Sequence, residues 1–258
     1  MTRRNLIGAA LASGISMPIP AANQKPSILE LRWLKMRNSP DNELGRTRDF
    51  FQNHVMDVLH RSGVTTVGAF TCSIGQDSPF LLAVSEFPSM AALETAGERV
   101  WSDAGFLKAY AEYAGSAPRV YEREEVMLLR SFSGFPAIRP PQSEEGKAHT
   151  FELRMYESTN GVTLARKVKM FNTGEIGIFE RLGMKPVFFG ETIAGSRMPN
   201  LIYMLSFDDL GARQKLWGEF VSDPAWKKMS SIPEYSDSLI VSNISNWILQ
   251  PLDFSQIR

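Results

Sequence analysis

Two stretches of this chain spell nearly the same pattern, and that repetition constrains the fold more than any other feature. Glu30-Leu31-Arg32-Trp33 returns as Glu152-Leu153-Arg154-Met155, and Arg61-Ser62-Gly63-Val64 as Arg181-Leu182-Gly183-Met184. Pro79-Phe80-Leu81 aligns with Pro199-Asn200-Leu201, and Phe87 with Phe207. The offset stays at about 120 residues throughout. Chance matches do not hold one register for so long. The chain therefore divides into copy one, residues 27–133, a connection, residues 134–147, and copy two, residues 148–253. The connection carries Pro136, Pro140 and Pro141, a composition that suits an extended, exposed segment.

Each copy reads strand–helix–strand–strand–helix–strand. In copy two, Thr150–Tyr156 alternates like a strand, and Gly161–Leu182 places its apolar residues at helical spacing. Gly183 stands in the usual glycine position just past a helix. Val187–Ile193 and Leu201–Phe207 are two further strands. A helix through Leu210, Trp217 and Phe220 starts at Asp208 or Asp209, a helical turn follows Asp223-Pro224, and Ser245–Leu249 is the last strand. Such a unit is a ferredoxin-like sandwich with both helices on one sheet face. The bare face needs cover, and a second copy in the same chain supplies it. The expected fold is α+β: two tandem ferredoxin-like βαββαβ repeats packed sheet to sheet as an intramolecular barrel.

Strand parity sorts the candidate site residues. Phe151, Leu153 and Met155 share one face of the first strand of copy two, and Glu152, Arg154 and Tyr156 the other. Copy one splits likewise into Leu29, Leu31, Trp33 and Glu30, Arg32, Leu34. The wholly apolar set is expected to face the helices, and the polar set the space between the sheets. There Glu30–Arg32 and Glu152–Arg154 either close ion pairs or grip an anionic ligand through the guanidinium fork. Arg154, Tyr156, Glu152, Asn200 and Arg32 form the candidate ligand-binding set. Asn200, just before a strand, can instead hold its turn. The pocket is expected in copy two, since copy one has Leu34 for Tyr156 and Phe80 for Asn200.

Other features point away from specific chemistries. Trp217, Phe220 and Trp226, like Trp101, Tyr110, Tyr113 and Tyr121, read as packing residues. His54 and His60 lie six positions apart, a spacing that does not place two metal ligands on one helix face. Cys72 is the only cysteine and reads as structural. No metal and no cofactor is expected, with haem approached by His54 as a minor alternative. Lys+Arg and Asp+Glu both number 28, and this zero net charge argues against a general nucleic-acid binder. No apolar run is long enough to span a bilayer. The opening Arg3-Arg4, the mildly apolar Leu6–Ile15 and the following Pro18-Ile19-Pro20-Ala21-Ala22 have the order of a signal peptide, resembling the twin-arginine type. Residues 1–24 are expected to direct export to the periplasm or beyond.

Copy two also carries Phe151-Glu152-Leu153-Arg154-Met155-Tyr156, Gly183-Met184-Lys185-Pro186-Val187, Asn200-Leu201, and Trp217-Gly218-Glu219-Phe220-Val221-Ser222-Asp223-Pro224-Ala225-Trp226. This resembles the NIPSNAP family, with its E-L-R-x-Y strand, G-x-x-P-V centre and W-x-x-F-x-x-D-P-x-W helix region. Copy one is a degenerate version, with Asp103-Ala104 for Asp-Pro and Phe106 for Trp226. The resemblance implies the dimeric α+β barrel superfamily, which includes haem-degrading and cofactor-free monooxygenases, and carries over no catalytic residue. Three readings stand. One is a protein binding a small, partly apolar or anionic ligand in the barrel, one a monooxygenase using the same cavity, and one a ligand-free interaction module. The barrel pairing is expected within one chain, and higher oligomers are compatible with it.

Overall fold

A computed structural model describes residues 24–142 and 148–258. The expected signal over residues 1–24 lies almost wholly outside them. Copy one contributes β1 (Ile28–Lys35), α1 (Glu43–Phe50), α2 (Met56–Arg61), β2 (Val67–Ile74), β3 (Phe80–Phe87), α3 (Met90–Ser102), α4 (Ala104–Ala114) and β4 (Arg123–Ser131). Copy two contributes β5 (Thr150–Glu157), α5 (Gly161–Met170), α6 (Ile176–Arg181), β6 (Lys185–Ala194), β7 (Asn200–Phe207), α7 (Leu210–Ser222), α8 (Pro224–Ser230), α9 (Asp237–Ile240) and β8 (Asn243–Pro251). A π-helical turn joins α1 to α2 at Phe51–Val55 and α5 to α6 at Phe171–Glu175. Gly63 and Gly183 follow α2 and α6 with φ of 98° and 80°, left-handed positions that stop a helix at little cost only for glycine. Asp209, of the two aspartates considered, caps α7 by accepting from the Ala212 amide at 2.7 Å.

The eight strands close into one antiparallel barrel in the order β1-β3-β2-β8-β5-β7-β6-β4. Each repeat keeps its own four strands together. The seams between repeats are β2–β8, with Cys72 opposite Leu249, and β4–β6, with Leu129 opposite Thr192. At the second seam a Cβ on Gly190 would meet Leu129 at 2.8 Å, so the close approach needs glycine there.

The parity expectation was inverted. Leu29, Leu31 and Trp33 join Phe151, Leu153 and Met155 in the core inside the barrel, while Tyr156 belongs to the cluster under the copy-two helices. The reason is solvation. An eight-stranded barrel has an interior just wide enough for side chains to fill, which favours the wholly apolar set there. The layer between sheet and helices has edges open to water, where long charged side chains reach partners on two elements.

The connection is also unlike its expected exposed form. Phe135 and Ile138 are buried. Residues 132–139 run along β6, with the amides of Phe132 and Arg139 donating to the carbonyls of Phe189 and Val187 at 3.0 and 2.9 Å. Residues 252–257 do the same along β2, the amides of Leu252 and Gln256 donating to Ala69 and Val67 at 2.8 and 3.1 Å. Ile138 and Ile257 both enter the barrel core. Each repeat thus ends in an arm laid on the other repeat.

Candidate functional site

The space between sheet and helices is filled in copy two and hollow in copy one. In copy two, strand parity aims Glu152, Arg154 and Tyr156 at the helices, and α7 brings Arg213 and Trp217 over them. The Glu152 carboxylate, wholly buried, accepts from Arg154 Nη1 at 2.8 Å, Arg213 Nε and Nη2 at 3.0 and 2.6 Å, and Trp217 Nε1 at 2.7 Å. Arg154 also donates to the Tyr156 hydroxyl at 3.1 Å through Nη2, and lies 4.5 Å from the Trp217 ring centre. Tyr156 and Tyr203 share a 2.9 Å hydroxyl contact.

Beside them Lys167 and Glu175 pair at 3.0 Å, each with at most 2% of its side chain exposed. The π turn carries Glu175 round to meet Lys167, eight positions earlier. Burial pushes the Glu175 carboxyl above its ordinary range, further than the Lys167 ammonium draws it back. Burial also pulls on Lys167, but Glu175 outweighs it and the amine stays above its usual value. Lys167 lies against the rings of Phe171, Tyr156 and Trp226 at 4.8, 5.5 and 5.5 Å. Phe220 and Trp226 pack in the same layer, as expected of them.

These groups satisfy one another. Glu152, Arg154 and Tyr156 are brought together, but not in the barrel, and their donors and acceptors face protein. The pocket expected of copy two is occupied by its own side chains. Asn200 stands apart from them. Its amide donates to the carbonyls of Ser196 and Arg197 at 2.9 and 2.8 Å and its oxygen accepts from Thr192 Oγ1 at 2.6 Å, so it holds the β6–β7 hairpin. Arg32 lies in copy one, between Glu30, to which its Nε donates at 2.9 Å, and Glu124.

Copy one has an opening of about 380 Å³ at the equivalent place, among β1, β3, the π turn, α3 and α4. That lies in the size range of small-molecule sites. Its origin is visible residue by residue. Where β7 has Tyr203, β3 has Ala83, and where α7 has Trp217, α3 has Gly97. Both small residues line the opening, and a Cβ on Gly97 would meet nothing within 4 Å. The buried pair Lys167–Glu175 is replaced by Thr47 and Val55. The aromatic walls include Trp101, Tyr110, Tyr113 and Tyr121, which the sequence reading assigned to packing. Phe50 and Tyr113 stack at 4.1 Å with planes 4° apart. Burial pushes the Tyr113 hydroxyl up to about 12, so it stays protonated near neutrality.

A second opening, of about 340 Å³, lies at one end of the barrel. Three of its charges are paired across it, Lys35 to Asp77 and to Glu125, each at 2.8 Å. The barrel beneath is packed with apolar side chains, so the ligand space expected between the sheets is confined to this polar end.

Haem fits the copy-one pocket poorly. Axial ligands come from His, Cys, Met or Tyr; no histidine, cysteine or methionine lines this pocket, and burial pushes the hydroxyls of Tyr113 and Tyr121 up, away from the phenolate that binds haem iron. His54 is exposed on the π turn. No group of three or more His, Cys, Asp or Glu among the described residues has the arrangement of a metal site. Cys72 packs at the edge of the barrel core, and burial pushes its thiol up, which disfavours the reactive thiolate.

Taken together, a closed barrel built from two ferredoxin-like repeats, with helices only outside, defines a single-chain version of the dimeric α+β barrel class. Solved structures agree over most of the chain. A "putative monooxygenase" from Lactobacillus acidophilus NCFM matches with a TM-score of 0.60 at 11% identity, over 88% of this chain and 94% of that one. One so described from Fusobacterium nucleatum matches with 0.60 at 8% identity, over 88% and 93%. An anthrone oxidase-like protein matches with 0.52 at 12% identity, over 91% and 94%. These likenesses establish the fold. Curated proteins offer no match. The NIPSNAP family model matches residues 30–134 and 151–256, and the chain belongs to the NIPSNAP family.

Proposed function

We propose that this protein binds a small, largely apolar molecule in the helix–sheet pocket of copy one, and that copy two is a filled structural partner. The observation that carries this is the paired loss of bulk, Ala83 against Tyr203 and Gly97 against Trp217, around one opening. Two independent reductions bordering the same space make a cavity that a packed core would be more stable without. The test uses the neutral fluorescent probe N-phenylnaphthylamine. Saturable binding of one probe per chain is expected, lost in Gly97→Trp while the melting temperature holds. No binding, or binding unchanged in Gly97→Trp, overturns the proposal.

Structures sharing the fold over its length carry the description "putative monooxygenase", and a reaction in the same pocket is a second reading. Its support here is the row of tyrosines at the pocket, and its test is oxygen uptake with bound aromatic substrates.

A further inference from the structure

The filled repeat shows what the hollow one lacks. Glu152 takes donors from three residues, Arg154, Arg213 and Trp217. Its counterpart Glu30 keeps the first of them, Arg32, and has lost the other two, because α3 offers Leu93 and Gly97 where α7 offers Arg213 and Trp217. Glu30 Oε1 accepts from Arg32 Nε at 2.9 Å, and the hydrogen bonds of the described residues give Oε2 no donor. Glu30, Leu93 and Gly97 all border the opening. The void therefore lies where an indole N–H and a guanidinium sit in copy two, and a carboxylate with spare acceptor capacity faces it.

We propose, on the basis of the binding function above, that the ligand is a flat aromatic cation, a ring system bearing a basic nitrogen, whose N–H donors take the places of Trp217 and Arg213 on Glu30. Charge and walls agree with this. The lining carries Glu30, Glu94, Glu98 and Glu124 against Arg32 alone, and Arg32 is engaged by Glu30 and Glu124. An anionic ligand meets net negative charge and no free guanidinium, while a cation meets carboxylates and electron-rich ring faces, of which Trp101 is the strongest. The anionic ligand anticipated for the Glu–Arg strand pair is thus disfavoured in the repeat whose helix–sheet layer is hollow.

The test is competition against bound N-phenylnaphthylamine by three molecules that share an indole ring: tryptamine, cationic; skatole, neutral; and indolepropionate, anionic. Tryptamine should displace the probe at about tenfold lower concentration than skatole, the worth of a charge-assisted hydrogen bond. Indolepropionate should be weakest. Glu30→Gln should remove the advantage of tryptamine over skatole. Leu93→Arg, which restores the copy-two donor to Glu30, should do the same without deleting the carboxylate, and serves where Glu30→Gln folds badly. Equal affinities, a preference for indolepropionate, or a tryptamine advantage that survives both variants overturns the inference. If the probe itself fails to bind, the pocket reading falls and this inference with it. If the probe binds and skatole competes without a tryptamine advantage, only the cation is refuted.

Discussion

The indole nitrogen of Trp217 donates to Glu152 Oε2 at 2.7 Å, joining α7 to β5 under the copy-two helices. Where that contact would recur in copy one, Gly97 leaves a space. One repeat is a record of the side chains that the other has given up, and this makes the effects of exchanging them predictable.

Trp217→Gly combined with Arg213→Leu gives α7 the residues that α3 has at the two equivalent positions. Glu152 is left buried with Arg154 alone, and a large cavity opens. A loss of about 3–5 kcal/mol is expected in denaturant unfolding. With Tyr203→Ala added, matching Ala83 of copy one, probe stoichiometry should rise to two per chain if the variant folds. Unchanged stability would show that the Glu152 cluster contributes nothing to the fold.

Lys167→Met alone strands the Glu175 carboxyl without its ammonium and should cost about 3–5 kcal/mol if the pair is ionised. Lys167→Met with Glu175→Leu imitates the apolar character of Val55 in copy one and should recover most of that loss. Thermal melts of the single and double variants decide this. A double variant no better than the single would mean that the pair has no mutual coupling.

Asp223 caps α8 and meets Arg181 Nη2 through both oxygens at 2.9 Å. Burial pushes its carboxyl up, but Arg181 and the amides of Trp226 and Ala225 outweigh this and hold it below the ordinary 3.8. A carboxyl lowered in the fold stabilises at pH above its unfolded value, and that stabilisation is lost as pH falls through the folded value. The Tm advantage of wild type over Asp223→Asn should be full above pH 3.8 and shrink below it. An advantage constant with pH would count against the ion pair.

Asn200→Ala removes three hydrogen bonds that hold the β6–β7 hairpin. It should lower stability by about 1–3 kcal/mol, the range for stranding buried polar groups. Probe binding should be unchanged if it takes place in the copy-one opening, as proposed. Loss of probe binding at full stability would return Asn200 to the ligand-binding set.

Arg3→Lys with Arg4→Lys should leave an unprocessed precursor inside the cell if the paired arginines are read as an export signal. Normal processing of that variant, followed by immunoblot, removes the twin-arginine route.

The repeat, the strand–helix order and the barrel were legible because they rest on periodicity and turn residues, which are local. Which face of β1 and β5 looks inward was not. Alternation separates Glu152 from Leu153 but cannot say which set meets the helices, and that depends on how tightly eight strands close. The opening proposed as the pocket in copy one was not legible either, for a related reason. Loss of Tyr156 and Asn200 from copy one looked like loss of a site, whereas the same alignment also replaces Tyr203 by Ala83 and Trp217 by Gly97, a loss of volume. Reading the repeats for size as well as polarity points to the copy-one opening. The arms at 132–139 and 252–257 follow the last strands and leave no periodic signal of their own.

Those arms have a consequence for when the protein can fold. Residues 252–257 complete the β2 edge of copy one, and residues 132–139 complete the β6 edge of copy two. Copy one therefore waits, during synthesis, on a segment made after the whole of copy two. Neither half has a finished core to fall back on once the other opens, so the two should melt as one cooperative unit despite their separate sequences. Two self-sufficient copies joined in one chain would show two transitions; the crossed arms lead us to expect one.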